Sequence, residues 1–492
     1  MSTQKIEKGE VSNSKKISVI GLYVGLVVYI VMGFIVPSPA AMGEVAWKVL
    51  AVCIPMIIWW VTTAMPLGFA AMAPMFLSPW IGLASEKVGE NGVNIMYGWT
   101  QNTTIVMFAI GCLSAAIVTT GLHKRVALTI LNAFKGKTTV VLLGFMIACG
   151  VISMFISNTT SCAILVPIAV AICTSLGLKK GDPVASAIMV SLPFMASIGG
   201  MATPIGSGTN VSAMGLMENF TGHYVSFAEW LSAALPFVVL ATFFTWFILV
   251  KFFKVDKAPA TDPSIVENAL KDLGKMSSGE KKSAIIFVLM LICVIFRKQI
   301  ITPFFGKATD PIIMCTFGMS TLFIPKDWQK REFMADSNTV KHINIDTLLL
   351  LVGGQTMGHM FQVSGITQLI ADRMGFMANW NSFAIIALIC VLCSVLTEFM
   401  TNQIIALAFL PVVNALAASL GTNPWIMYFG VTLSVSLAFM FPSATPPNAF
   451  AFSSGMLEFK DMAVVGFIVK IALIILFIIV FNTLSRLFCP LF

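Results

Sequence analysis

Charge is what this chain has least of. Only 11% of its residues are Asp, Glu, Lys or Arg, whereas soluble domains carry about 25%. That shortage, with 58% hydrophobic residues in long uncharged runs, excludes an ordinary soluble protein and indicates a polytopic helical membrane protein. Strict apolar–polar alternation is also missing, which excludes a β-barrel. Histidine is scarce: His123, His223, His342 and His359 have no partner three or four positions away, so histidine-held metal or haem is not expected. The ten cysteines lie mostly inside apolar runs. Cys390 and Cys393 form a CxxC with no second pair, so packing is their expected role. No cleavable signal peptide is read at the N-terminus, where the stretch to Lys16 is polar and the first apolar run is of spanning length. The net charge of +8 resides in short loops, where orientation signals belong, so nucleic acid is not an expected partner. No cofactor ligands or soluble catalytic domain are read, and the chain is not expected to be an enzyme.

What is present is a polar break in an apolar run. Ile156-Ser157-Asn158-Thr159-Thr160-Ser161 separates 139–155 from 162–176, and neither arm contains a charged residue. Irregular backbone at membrane depth persists only where it lines a water-filled cavity or is buried in protein. The break therefore predicts a binding site. A second copy, Thr401-Asn402-Gln403, lies between 383–399 and 404–420. Thr401 follows Ser157 by 244 residues, as Pro411 follows Pro167 and Gly365 follows Gly121, and Thr203-Pro204 recurs 242 residues on as Thr445-Pro446. Ordered landmarks at nearly one offset indicate an internal duplication, and paired interrupted segments are the best sequence pointer to a transporter's site.

The fold class this predicts is an all-α polytopic membrane protein with two inverted five-span repeats and one extra N-terminal span, eleven transmembrane helices in all. A polar tail, 1–16, expected to be disordered, precedes the extra span and its loop, 17–44. Repeat 1 covers 45–253, with spans near 46–64, 66–83, 103–121 and 225–252. It also contains an interrupted pair at 139–176 and a broken helix at 182–217, where four glycines and a proline occupy 199–208. The polar segment 91–102 reads as an exposed loop, and Gly121 as a helix stop. A charged linker, 254–282, leads to repeat 2, 283–492, with spans near 283–301, 308–325, 345–365 and 461–488, its interrupted pair at 383–420 and its broken helix at 423–456. Each interrupted pair is either two crossings or a re-entrant hairpin, and a midplane site favours the hairpin. The tail, the loops near 124 and 180, the linker and the loop 326–341 hold the basic residues on one side. This predicts a cytoplasmic N-terminus and an extracellular C-terminus in a multi-pass plasma-membrane protein. An odd number of spans per repeat inverts the second half.

The tips and breaks offer hydroxyls, amides and free backbone groups, but no Lys or Arg. Helix N-termini at the tips suit a small anion with two separated negative groups, while carbonyls and hydroxyls suit a cation. Glu398 is the one ionisable group near a tip, and its first-half match is Met154. It reads either as a proton or cation relay or as a structural carboxylate.

With these residues in view, the chain resembles the divalent anion/sodium symporter family, of the bacterial dicarboxylate carrier type. The resemblance runs over nearly all of the chain from residue 45. It is carried by Ser157-Asn158-Thr159, by Ser443-Ala444-Thr445-Pro446-Pro447-Asn448-Ala449 and by Thr397-Glu398-Phe399. It implies a homodimer in the lipid bilayer, with a moving transport part that works as an elevator on a static scaffold. It places substrate carboxylates at Asn158, Thr159, Asn402 and Pro446, with Ser207 nearby. Ser157, Thr401, Gln403 and Thr445 complete the candidate substrate set. One sodium site would map to Ser153, Ser157, Asn158 and Gly206, and another to Thr397, Met400, Asn402 and Ala444. The chain departs from the pattern at Gln403 and at Ser207-Gly208-Thr209-Asn210, where the family has a Pro-Pro pair. The function expected is secondary active transport of C4–C5 dicarboxylates (succinate, malate, fumarate, 2-oxoglutarate), leaning to dicarboxylate exchange. The alternative is sodium-coupled symport of di- or tricarboxylates or sulfate, with Na+ as the coupling ion and no other cofactor. From another class, an ion channel or ion-only antiporter fits the uncharged tips.

Overall fold

The computed structural model describes residues 2–40, 42–83, 93–306, 308–329, 331–336, 345–373, 380–483, 487 and 489–491. The far end of the expected basic loop, with Lys341 and His342, and the start of the polar segment at Asn91 lie outside the described residues.

Helix α1, Ser2–Ile30, runs through the stretch expected to be a disordered tail and into the first span, where a π-helical turn, Val31–Ile35, closes it. Helix α2, Glu44–Val61, follows. The span expected at 66–83 is instead three short pieces: α3 Leu67–Ala71, α4 Ala73–Leu77 and a 3₁₀ turn Ser78–Ile81. Pro66, Pro74 and Pro79 account for this, because each removes a helical N–H donor. The segment expected to be an exposed loop is packed. Its 3₁₀ turn Tyr97–Thr100 presents Gly98 so close to the chain that a Cβ there would lie 2.0 Å from Val352 O, and Tyr97 stacks on His359 at 4.1 Å.

Next come α5 Asn102–Thr120, α6 Leu122–Ala133, α7 Thr138–Ser153, α8 Asn158–Ser175, α9 Pro183–Gly200, α10 Gly208–Thr221 and α11 Phe227–Phe252. The charged linker holds α12 Ser264–Asp272, and α13 Ser278–Ile295 and α14 Asp310–Ser320 lead to a two-stranded hairpin, β1 Pro325–Asp327 and β2 Glu332–Phe333. The remaining helices are α15 Ile345–Val363, α16 Ile366–Arg373, α17 Ser382–Leu396, α18 Asn402–Leu420, α19 Trp425–Ser434, α20 Pro446–Ser453 and α21 Phe459–Asn482.

The order from α5 to α11 recurs as α15 to α21. In both copies the first helix stops at a glycine in the left-handed region, Gly121 at φ 84° and Gly365 at φ 79°, a conformation that costs glycine nothing. In both, a helix pair breaks at the polar tip. Then follow a broken helix and a long closing helix. Among the described residues eight helices are long and apolar enough to cross a membrane. The expected eleven spans are not all continuous: prolines divide 66–83, the expected break leaves α19 a short apolar helix in 423–456, and the arms α7 and α17 of the interrupted pairs are short as well.

The core is built around the broken helices. Every residue of α9 from Ala185 to Gly200 and of α19 from Ile426 to Ser434 is buried, as expected for helices that are apolar all round. Helix α7 reaches α9 through glycines: a Cβ on Gly199 would lie 2.3 Å from Gly150 O.

Candidate functional site

The two tips share one hydrogen-bond design. In the first, the chain leaves α7 at Ser153 and re-enters helix at Asn158. Ser153 Oγ lies 2.7 Å from Asn158 Oδ1 and 2.6 Å from Ala196 O of α9. In the second, Thr397 Oγ1 lies 2.6 Å from Asn402 Oδ1 and 2.7 Å from Val435 O. A hydroxyl has one proton and can donate it to one acceptor at a time. Each tip therefore gathers three oxygens around a single proton. Ser153 and Thr397 are fully buried, so water does not dilute this concentration of oxygen.

The breaks repeat a second design. Asn210 Nδ2 donates to Gly200 O and Thr203 O, both at 2.8 Å. Asn448 Nδ2 donates to Ala438 O and Phe441 O, both at 2.9 Å. All three residues of the second set follow those of the first by 238 positions. The structural match of Thr445 is thus Ser207 rather than Thr203. Ser207 and Thr445 both cap a returning helix, accepting from Thr209 N and Asn448 N. The amide orientation is fixed by the two carbonyls, and it leaves Asn210 Oδ1 and Asn448 Oδ1 buried with no donor among the described residues.

Several predicted residues fall together. Gly206 adjoins the first oxygen cluster: a Cβ there would lie 2.9 Å from Ser153 O and 2.5 Å from Gly200 O. Ser157 is exposed and caps α8, accepting from Thr160 N at 3.3 Å. Asn158, Thr159, Ser207 and Asn402 are partly exposed, and Thr401 and Pro446 are exposed, so uncharged donors remain open to a ligand at the starts of α8, α10 and α18, whereas at α20 Thr445 is buried and the exposed Pro446 has no N–H to donate. Met400 N and Ala444 N close turns on Leu396 O and Phe441 O. Gln403 differs from expectation. Its amide nitrogen, read as a donor to a carboxylate, is engaged by Ser212 Oγ at 2.6 Å and Thr347 O at 3.3 Å.

The halves complete one another. Helix α8 packs on α20 and α10 on α18. Cys162 Sγ donates to Pro447 O at 3.5 Å, and Gln403 reaches Ser212. The first tip's helix thus meets the second break, and the second tip's helix meets the first break.

Glu398 is held in an ion pair that the sequence reading missed. Lys470 Nζ donates to Glu398 Oε1 at 2.5 Å and to Ser394 O at 2.7 Å. The carboxylate also accepts N–H bonds from Phe439, Met440 and Phe441 at 2.9–3.2 Å. Both side chains are buried, Lys470 at 2% and Glu398 at 4% exposure. The available signal was Lys470 itself, the only charged residue between Asp461 and Arg486, since a lone charge in a span needs a partner. Such full engagement suits the structural reading of Glu398.

Interrupted helices in pairs, presenting uncharged donors inside an apolar body, define a membrane transporter. The chain belongs to the family of the sodium:sulfate symporter transmembrane region, whose profile matches residues 16–489. It is 29% identical over 476 residues to the sodium-dependent dicarboxylate transporter SdcS of Staphylococcus saprophyticus, covering 94% of this chain and 90% of that protein. It is 30% identical to the sodium-dependent high-affinity dicarboxylate transporter 3 of Caenorhabditis elegans, covering 90% and 84%. In fold it is similar to the YdaH transporter of Alcanivorax borkumensis, at a TM-score of 0.54 and 13% identity, over 80% of this chain and 86% of that one. The same TM-score and identity relate it to MtrF of Neisseria gonorrhoeae, over 95% and 94%.

Proposed function

We propose that the protein is a secondary active carrier of C4–C5 dicarboxylates that works by an elevator-type motion, with Na+ as the coupling ion. The repeated oxygen cluster carries this reading. A hydroxyl, an amide oxygen and a main-chain carbonyl meet at both tips, a donor set that suits a hard cation. The Asn210 and Asn448 side-chain oxygens, without a partner among the described residues, add one acceptor of the same kind in each half. The N-termini of α8 and α18 supply partial positive charge for two carboxylates, with Asn158, Thr159, Ser207, Asn402, Thr445 and Pro446 as neutral donors and contacts. The sodium dependence named for the relatives supports the same coupling. In this reading the chain is a homodimer in the plasma membrane, the halves insert in opposite senses, and the N-terminus is cytoplasmic and the C-terminus extracellular.

Dicarboxylate exchange is the second reading. It was favoured by the departure at Gln403, but that side chain is bonded to Ser212 and Thr347, outside the cluster of Thr397, Asn402 and Val435. The test is uptake of labelled succinate into proteoliposomes with sodium or choline outside, with and without internal dicarboxylate. Sodium-driven uptake into empty vesicles is expected, with loss in Asn158→Ala and in Asn402→Ala. Uptake that needs internal dicarboxylate and ignores sodium would establish exchange. Ion conductance without saturable succinate uptake would establish a channel.

A further inference from the structure

We propose that Gln403 is a latch between the second tip and α15, which holds the carrier in the conformation seen here without gripping the substrate. The inference rests on the elevator reading above. Gln403 is 7% exposed and stands in the first turn of α18, next to Asn402. Its amide nitrogen has two protons and two acceptors on different elements: Ser212 Oγ in α10 at 2.6 Å and Thr347 O in α15 at 3.3 Å. Ser212 keeps its own proton for Gly208 O at 2.9 Å, so its oxygen is free to accept. The three elements are in close contact, since a Cβ on Gly208 would lie 2.4 Å from Thr347 Cγ2 and 3.8 Å from Gln403 Oε1.

In the elevator reading taken here, the hairpins and broken helices are the moving part and α15 belongs to the static one. The bond from Gln403 to Ser212 then travels with the moving body. The bond to Thr347 crosses the sliding surface and must break in each cycle. The matching residue of the first tip is Thr159, which is shorter and makes no side-chain hydrogen bond among the described residues. One tip is therefore latched and the other is not, so the bond biases the equilibrium between the two conformations rather than stabilising both. A ligand-free bond of this kind sets a population, whereas a substrate contact sets an affinity.

A cysteine pair reports on the contact. Gly354 in α15 and Leu407 in α18 touch, a Cβ on Gly354 lying 2.4 Å from Leu407 Cδ2. The full chain carrying Gly354→Cys and Leu407→Cys is cross-linked by a mild oxidant in proteoliposomes, with Gln403, Gln403→Thr or Gln403→Glu. Threonine cannot span the gap, and glutamate has no proton for Thr347 O. Both variants are expected to slow cross-linking about two- to tenfold, the equilibrium weight of one net hydrogen bond. Both should also keep the thermal shift produced by succinate. If cross-linking is as fast as with Gln403, the latch is refuted. If the succinate shift is lost, Gln403 is a substrate contact and the proposal is overturned. If Gln403→Thr does not fold, Gln403→Glu decides alone. A cross-linked protein that still transports would refute the elevator reading itself, whereas blocked transport with unchanged cross-linking rates would refute the latch alone.

Discussion

The first tip is neutral throughout, and the second holds a buried ion pair behind the same oxygens. Both place a hydroxyl against an asparagine amide and a carbonyl, at Ser153 and at Thr397. Behind them, Met154 O in the first half accepts the Thr203 hydroxyl, where the second half has Glu398 and Lys470. Gly150, pressed against Gly199, has Ser394 as its match, whose carbonyl accepts from Lys470. Two solutions to the same problem follow: the first half closes its break by backbone contact, the second by a carboxylate that gathers three main-chain N–H groups. What the halves hold in common is the pair of oxygen clusters at the tips, and what they do not share lies behind them, so in the proposed carrier the common part is the one that would bind.

The largest effect should come from the unshared pair. Removing one partner of a buried ion pair costs about 3–5 kcal/mol, so Lys470→Met should lower the melting temperature in detergent sharply, and Met154→Ala far less. The double change Glu398→Met with Lys470→Met should recover most of the loss. Equal melting of the single and double variants would mean that the two side chains do not act as a pair. The asparagine staples come next. Asn210→Ala and Asn448→Ala each take the amide donor from two main-chain carbonyls, of which Thr203 O and Phe441 O keep a backbone donor in Gly206 N and Ala444 N; the loss at Gly200 O and Ala438 O should cost about 1–3 kcal/mol, the same in both halves. A large inequality would break the equivalence of the two breaks. Gly199→Ala, which drives a Cβ into Gly150 O, should destabilise by about 1–3 kcal/mol and depress succinate uptake, since the first oxygen cluster rests on the α7–α9 contact. The smallest effect is at the surface. Lys135 sits beside the Glu267 carboxylate and holds it below its ordinary range. The pair's contribution is therefore present at neutral pH and lost as pH falls through the carboxylate range. Glu267→Gln should melt near the parent at pH 7, because exposed pairs contribute little, and any gap should vanish at pH 3.

The duplication, the tips, the breaks and the stop at Gly121 were readable because each sets polar residues or glycine against an apolar background. Ser157-Asn158 and Thr401-Asn402 could hardly be anything but interruptions. Other features carried no such contrast. The short helices α6, α12 and α16 mix polar and apolar residues as loops do, and only packing settles their state. Pro66, Pro74 and Pro79 are each tolerable in a membrane helix, yet together they divide the span. The register of the breaks was misread because the Thr-Pro pairs look alike, whereas the chain matches them through Asn210 and Asn448. Gln403 was read for its chemistry, and its partners Ser212 and Thr347, distant in sequence, were invisible.

The crossed packing of α8 on α20 and of α10 on α18 has a consequence for biogenesis. When the ribosome has delivered the first 253 residues, every landmark of the first copy has been made, yet its broken helix still lacks the surface that covers it. That surface is translated roughly 200 residues later, so the early copy must wait in the bilayer half-assembled. Separately synthesised halves should remain inert until mixed, like a clasp whose two parts are cast apart.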